Sequence, residues 1–149
     1  MRGRGGFSLL ELLVVVVLLG VGLVGLSGVF VSALVSDMKG ERLATATYQA
    51  QHELERIRGA EFGNALVDPS IFPSSEGYTI IQQQANKTGV VGFSVPGLPG
   101  GTGRITISYY QSPVGIYPNL KDIRVTVTWG GGRQTQSNVA LSTLLGNRP

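Results

Sequence analysis

The chain has 149 residues, no cysteine and a single histidine, so disulfides and thiolate metal sites are excluded and a zinc site lacks ligands. Most of the excess in its 42% apolar content sits before Val35, which leaves room for one modest globular domain. The net charge of +3 and pI of 9.5 would ordinarily point to nucleic acid or anionic lipid, but Arg2 and Arg4 stand at the extreme N-terminus, and the rest of the chain is nearly balanced.

From Leu12 to Val35 no charged residue occurs across 24 positions. A helix of that length spans roughly 36 Å at about 1.5 Å per residue, enough for a hydrocarbon core of about 30 Å. Basic residues precede it, so the N-terminus is expected to stay cytoplasmic and the C-terminal domain to cross. An ordinary secretory signal has an apolar core of only about 7–15 residues. A carboxylate, Glu11, stands at the head of this stretch, and at membrane depth a carboxylate costs about 2.5–3.5 kcal/mol on insertion scales. Ser8 and Glu11 have the spacing of a capping box, which would satisfy the first amides of the helix. That leaves the junction of small Gly6 with aromatic Phe7 unaccounted for.

The run Gly6-Phe7-Ser8-Leu9-Leu10-Glu11-Leu12-Leu13 resembles the prepilin processing motif of type IV pilins and type II secretion pseudopilins. The resemblance implies a leader peptide over 1–6, cleavage by a prepilin peptidase between Gly6 and Phe7, and N-methylation of Phe7. It also implies that Glu11 meets the N-terminal amine of a neighbouring subunit and sets the register between the two. Opposite charges attract strongly in a low-dielectric bundle, while either one alone is costly there.

Gly20-Val21-Gly22-Leu23-Val24-Gly25 spells a dinucleotide fingerprint, but that motif requires a preceding strand and a helix opening at the glycines. Here the glycines lie inside an apolar helix. Gly20, Gly22, Gly25 and Gly28 each lower helix propensity by about 0.8–1.0 kcal/mol relative to Ala, and small residues also permit close helix packing. Many major pilins carry a proline where this chain has Gly28.

The transmembrane, filament-core helix is expected over 7–36, followed by an amphipathic helix over 37–59. Leu43, Ala46, Ala50, Leu54 and Ile57 recur at helical spacing, with Arg42, Gln49, Gln51, Glu53 and Arg56 assigned to the opposite face and Gly59 to the C-cap. His52 has no clustered partners and reads as a solvated helix residue. The segment 51–58 is similar to the helix end of minor pilins of the pilus modification protein type.

Beyond Ala60 the period changes to two. Strands are expected at Tyr78–Gln83, Val90–Val95, Ile105–Tyr110, Ile123–Trp129 and Gln134–Leu141, forming an antiparallel head over 60–149. In Ile123–Trp129 the residues Ile123, Val125, Val127 and Trp129 share one face, so Trp129 reads as core, and Gly130-Gly131-Gly132 reads as the following turn. The run Val125–Trp129 followed by Leu141–Leu144 is similar to the C-terminal signature of minor pilins and I-type pseudopilins. Residues 96–103 read as an exposed glycine-rich loop without the lysine of a phosphate-binding loop, and 60–77 as a linker from helix to sheet.

The expected fold is therefore α+β and pilin-like, one long N-terminal helix packed on a small antiparallel sheet. No catalytic constellation, metal site or cofactor motif is legible, and the expectation is a structural subunit, not an enzyme. The resemblance implies a minor type IV pilin that initiates or caps a pilus, with a minor type II secretion pseudopilin or a membrane-anchored binding domain as alternatives. Implied partners are other pilins through the N-terminal helix, prepilin peptidase, the inner membrane assembly platform and lipid. Six basic residues beyond Gly59 against four acids do not support nucleic acid. The implied location is the inner membrane as a single-pass precursor with a periplasmic head, then the pilus or pseudopilus.

Overall fold

In the computed structural model, residues 8–60, 62–130 and 136–147 are described. The chain divides into two compact units, Met1–Glu41 and Arg42–Pro149. Helix α1, Leu9–Gly59, runs through both. Apart from Glu11, its first half is uncharged and rich in Leu and Val, and the helix contains no proline. Gly59 ends the helix without a left-handed backbone, contrary to the cap expected there. The Ala60 amide closes the last turn on the Ile57 carbonyl at 3.2 Å.

Within the second unit, α1 lies on a five-stranded antiparallel meander in the order β1-β2-β3-β4-β5. The strands are β1 Tyr78–Gln83, β2 Gly89–Ser94, β3 Thr102–Ser112, β4 Gly115–Trp129 and β5 Ser137–Gly146. A short 3-10 turn, Ser74–Glu76, precedes β1 and ends at Gly77 with φ 85°. The inward rows follow from the period of two. Ile105 and Ile107 on β3 and Ile123, Val125, Val127 and Trp129 on β4 are all buried, and each aliphatic side chain so covered contributes about 1.5–3 kcal/mol. Trp129 is core, as its stripe predicts. Position 103 shares this face by parity, and it is glycine because a side chain there would run into the Phe93 ring.

The helix face is partly corrected. Ala46, Ala50, Leu54 and Ile57 are buried, but Leu43 is 51% exposed, and Glu53, assigned to the solvent face, is 3% exposed. Glu53 lies three residues after Ala50 and four before Ile57, so its spacing puts it on the apolar stripe.

The strands also differ in length. β3 and β4 extend well past their expected limits and meet at a tight turn over Pro113-Val114. Pro118, which cannot donate to a ladder, lies between the two expected strands and falls within β4. The β3–β4 register slips after Tyr109↔Lys121 to Tyr110↔Tyr117, so residues 118–120 have no partner on β3 and the missing N–H costs no β3 bond. β5 starts and ends later than expected and pairs without interruption from Trp129↔Ser137 to Leu120↔Gly146; Gln134 and Thr135 lie outside the described residues. The 96–103 segment is less exposed than its composition suggests. Leu98 is buried, the Gly130 amide bonds the Pro99 carbonyl at 3.0 Å, and Thr102 and Gly103 belong to β3.

Candidate assembly interface

The first unit is an apolar helix whose described residues are exposed. Its most apolar window has a mean hydropathy of 2.8 and no buried residue. By length and composition this is the one helix among the described residues able to cross a membrane. Unpaired backbone groups are costly in lipid, so an unbroken helix is the form such a segment takes there. The hydroxyls are handled locally. Ser27 Oγ donates to the Leu23 carbonyl at 2.9 Å and Ser32 Oγ to the Gly28 carbonyl at 3.0 Å. A side chain at Gly20, Gly22, Gly25 or Gly28 would meet no atom within 4 Å. These glycines leave shallow places on the helix surface where another backbone can come close.

Glu11 lies in the first turn. Its amide and that of Leu12 bond the Ser8 carbonyl at 2.9 and 3.2 Å. Among the described residues the Glu11 carboxylate has no hydrogen bond and no ion pair, and the Ser8 hydroxyl does not complete a capping box. Gly6 and Phe7, the expected cleavage and methylation sites, lie outside the described residues.

Residues 1–27 match the family described as the prokaryotic N-terminal methylation motif. The chain carries a prepilin-type N-terminus. Such a motif implies processing by prepilin peptidase and assembly with other pilins, and with the apolar helix it fits membrane anchoring. The rest of this prepilin-type chain lies beyond the match. No curated protein and no solved structure matches it.

The head of the prepilin-type chain holds two polar clusters that sequence reading missed. In the first, Tyr78 Oη donates to the buried Glu53 carboxylate at 2.9 and 3.0 Å. Arg56 reaches the same hydroxyl at 2.6 Å, the Ile71 carbonyl at 2.9 Å and the Glu76 carboxylate at 3.0 Å. Burial, then the bond to Glu53, pushes the Tyr78 hydroxyl up to about 12. In the second, Lys121 is 1% exposed. Its Nζ donates to the Phe62 and Ala65 carbonyls at 2.7 and 2.8 Å and lies 4.5 Å from the centre of the Phe62 ring. Burial lowers the pKa of Lys121.

Both clusters hold the 62–76 strap onto the sheet. Gln83 adds a bond to the Val67 carbonyl at 2.8 Å, and Lys87 pairs with Asp68 at 2.7 Å, which holds the Asp68 carboxyl well below the usual carboxylate range. Parity gave a clue to Lys121, because it lies two residues before Ile123 in the inward row. No group of His, Cys, Asp and Glu able to hold a metal occurs among the described residues. His52 stacks on Tyr48 at 6.4 Å between ring centres and lies 3.8 Å from Glu53.

Proposed function

We propose that this chain is a minor filament subunit that helps to start or cap a type IV pilus, and that its role is structural and not catalytic. The observation that carries the reading is Glu11: a carboxylate with no partner among the described residues, at the start of a fully exposed apolar helix that bears the methylation motif. A neighbouring subunit's methylated Phe7 amine would supply the missing charge, and Gly6 would be the last residue of the discarded leader. In that reading the N-terminus is cytoplasmic and the head periplasmic until the inner membrane platform draws the subunit into the filament. Gly28 in place of a kinking proline favours a minor over a major subunit. The Val125–Trp129 and Leu141–Leu144 runs keep a minor pseudopilin of a type II secretion filament as the second reading.

Intact-mass measurement of the protein from its native membrane tests the proposal. The expected mass is that of a chain beginning at Phe7 and carrying one methyl group. A mature chain that begins elsewhere sinks it.

A further inference from the structure

The sheet has two edges, and only one of them is guarded. An edge strand presents a row of unpaired N–H and C=O groups, and proteins blunt such rows with short strands, bulges, prolines, charges or a covering segment. β1 has three of these devices. It is six residues long, its register shifts between Ile80 and Gln82, and the strap reaches it where the Gln83 side chain bonds the Val67 carbonyl at 2.8 Å. β5 has none of them. It is ten residues long, pairs with β4 without a break, and contains neither a proline nor a charged residue.

The ladder fixes which groups point outward. The Asn147 amide bonds the Asn119 carbonyl at 3.0 Å, in the same register as the β4–β5 pairs. Hydrogen-bonded and non-hydrogen-bonded positions alternate in an antiparallel pair, so the odd-numbered residues of β5 bond to β4. The N–H and C=O groups of Asn138, Ala140, Ser142, Leu144 and Gly146 therefore point away from the sheet. All five residues are exposed, and these groups have no partner among the described residues. The inward side chains of the strand are half covered: Val139, Leu141 and Leu145 pack on the core but are only partly buried. At the end of the strand lies an open cleft of about 770 Å³, with Arg58, Ala60, Phe62 and Gly63 on one side and the last residues of β5 on the other. Room for further side chains is thus present beside β5.

We propose that β5 is an acceptor edge, which takes an extended, uncharged segment of another protein as a sixth strand. The unpaired groups define the chemistry of the occupant. They recur at every second residue, about 6.8 Å apart, and an extended polypeptide backbone offers donors and acceptors at that interval. A charged segment would find no counter-charge along β5 and would lose water against its apolar row, which is costly. The occupant therefore carries apolar side chains at alternate positions, turned toward Val139, Leu141 and Leu145. In strand addition the main-chain bonds supply affinity and the alternate side chains supply specificity. A second copy fits less well. Pairing β5 with β5, core faces on one side, needs a two-fold axis perpendicular to the sheet, and that axis reverses the part of α1 packed on it. Two chains anchored through the same apolar N-terminus are not related in that way. The inference does not rest on the filament-subunit reading, because the open edge belongs to the head alone.

The probe is an end-blocked peptide of about eight residues that alternates Thr with Val, long enough to lie along most of β5. It is added to the full chain in detergent, and amide hydrogen exchange is read residue by residue. At about ten times the dissociation constant, the amides of Ala140, Ser142 and Leu144 should exchange about tenfold more slowly. Those of Leu141 and Thr143, already bonded to β4, should change little. Ser142→Pro removes one outward N–H and no ladder bond, so it should abolish the protection and leave the melting of the head nearly unchanged. Ser142→Lys puts a guarding charge on the edge and should do the same without depending on how the strand tolerates proline. The same peptide with every amide N-methylated should give no protection. The proposal is overturned if no β5 amide gains protection, if odd and even amides gain alike, or if both variants or the methylated peptide behave like the originals. It is overturned too if the even amides are protected without peptide and lose that protection on dilution, because a second copy then fills the edge.

Discussion

Glu11 and Glu53 are carboxylates on one helix, each set among apolar neighbours, and the structure treats them in opposite ways. Glu53 is buried and receives the Tyr78 hydroxyl, with Arg56 on the far side of that same oxygen. Glu11 is exposed and receives nothing from the described residues. A buried charge without a partner is strongly destabilising, whereas a fully bonded one is tolerated. One glutamate is thus satisfied inside the fold, and in the proposed reading the other is satisfied by the amine of a neighbouring subunit. The comparison separates folding from assembly within a single element.

The largest expected effect tests that separation. Glu11→Gln should leave membrane insertion, leader cleavage and the melting of the head unchanged. Recovery in filaments should fall by about two orders of magnitude, since breaking a buried pair costs about 3–5 kcal/mol. Sheared filaments containing the variant at wild-type levels would return Glu11 to a local role at the helix start, because glutamine caps as well as glutamate does. On the folding side, Trp129→Ala should cost about 3–5 kcal/mol, as large aromatic truncations in cores do. Denaturant unfolding of the full chain in detergent would show this as a lower midpoint, and an unchanged midpoint would contradict the burial of the ring.

Smaller effects are expected at the two latches. Lys121→Met removes a buried charge but leaves the Phe62 and Ala65 carbonyls without donors, and each orphaned buried group costs about 1–3 kcal/mol. The expected net loss is about 2 kcal/mol, and the exchange protection of the strap amides should fall more than that of β3 and β4. Stabilisation by the substitution would mean that the desolvated charge outweighs its bonds. Alkaline pH acts on the other latch. A folded-state value of about 12 against an ordinary 10 means that the folded chain keeps the Tyr78 proton after the unfolded chain has lost it. Its contribution is complete below about pH 10 and is lost as pH rises through 12. Lys121 acts in the opposite sense, since its lowered pKa makes its burial less costly at high pH. The alkaline fall should therefore be steeper in Lys121→Met, and absent from the Tyr78 contribution in Tyr78→Phe.

Much of this was legible because the two periods are clean. Spacings of three and four placed Ala46, Ala50, Leu54 and Ile57, and alternation placed Ile123, Val125, Val127 and Trp129. The same rules held information that residue type obscured. Glu53 has the spacing of the stripe and Lys121 the parity of the inward row, yet both are charged, and charged residues are assigned to solvent unless a partner is visible. Their partners, Tyr78 and two strap carbonyls, lie 25 and more residues away in sequence, where no local pattern reaches. The extension of β3 and β4 was missed for a different reason. Gly115 and Pro118 interrupt the strand pattern between Tyr110 and Ile123, and only the slipped register shows how Pro118 is tolerated. At the N-terminus the apolar run and Glu11 were plain from composition, while Gly6 and Phe7 acquire meaning only through the motif.

The meander has a kinetic consequence. Each strand pairs with its neighbour in sequence, so the sheet can form hairpin by hairpin with short loops to close. Helix α1 precedes all five strands, and its apolar face from Ala46 to Ile57 has nothing to pack on until β3 and β4 have been made. During synthesis the chain therefore passes through a stage in which the helix is complete and its core face is bare. That is the interval in which another protein could capture it, and slow delivery of the strands would lengthen it.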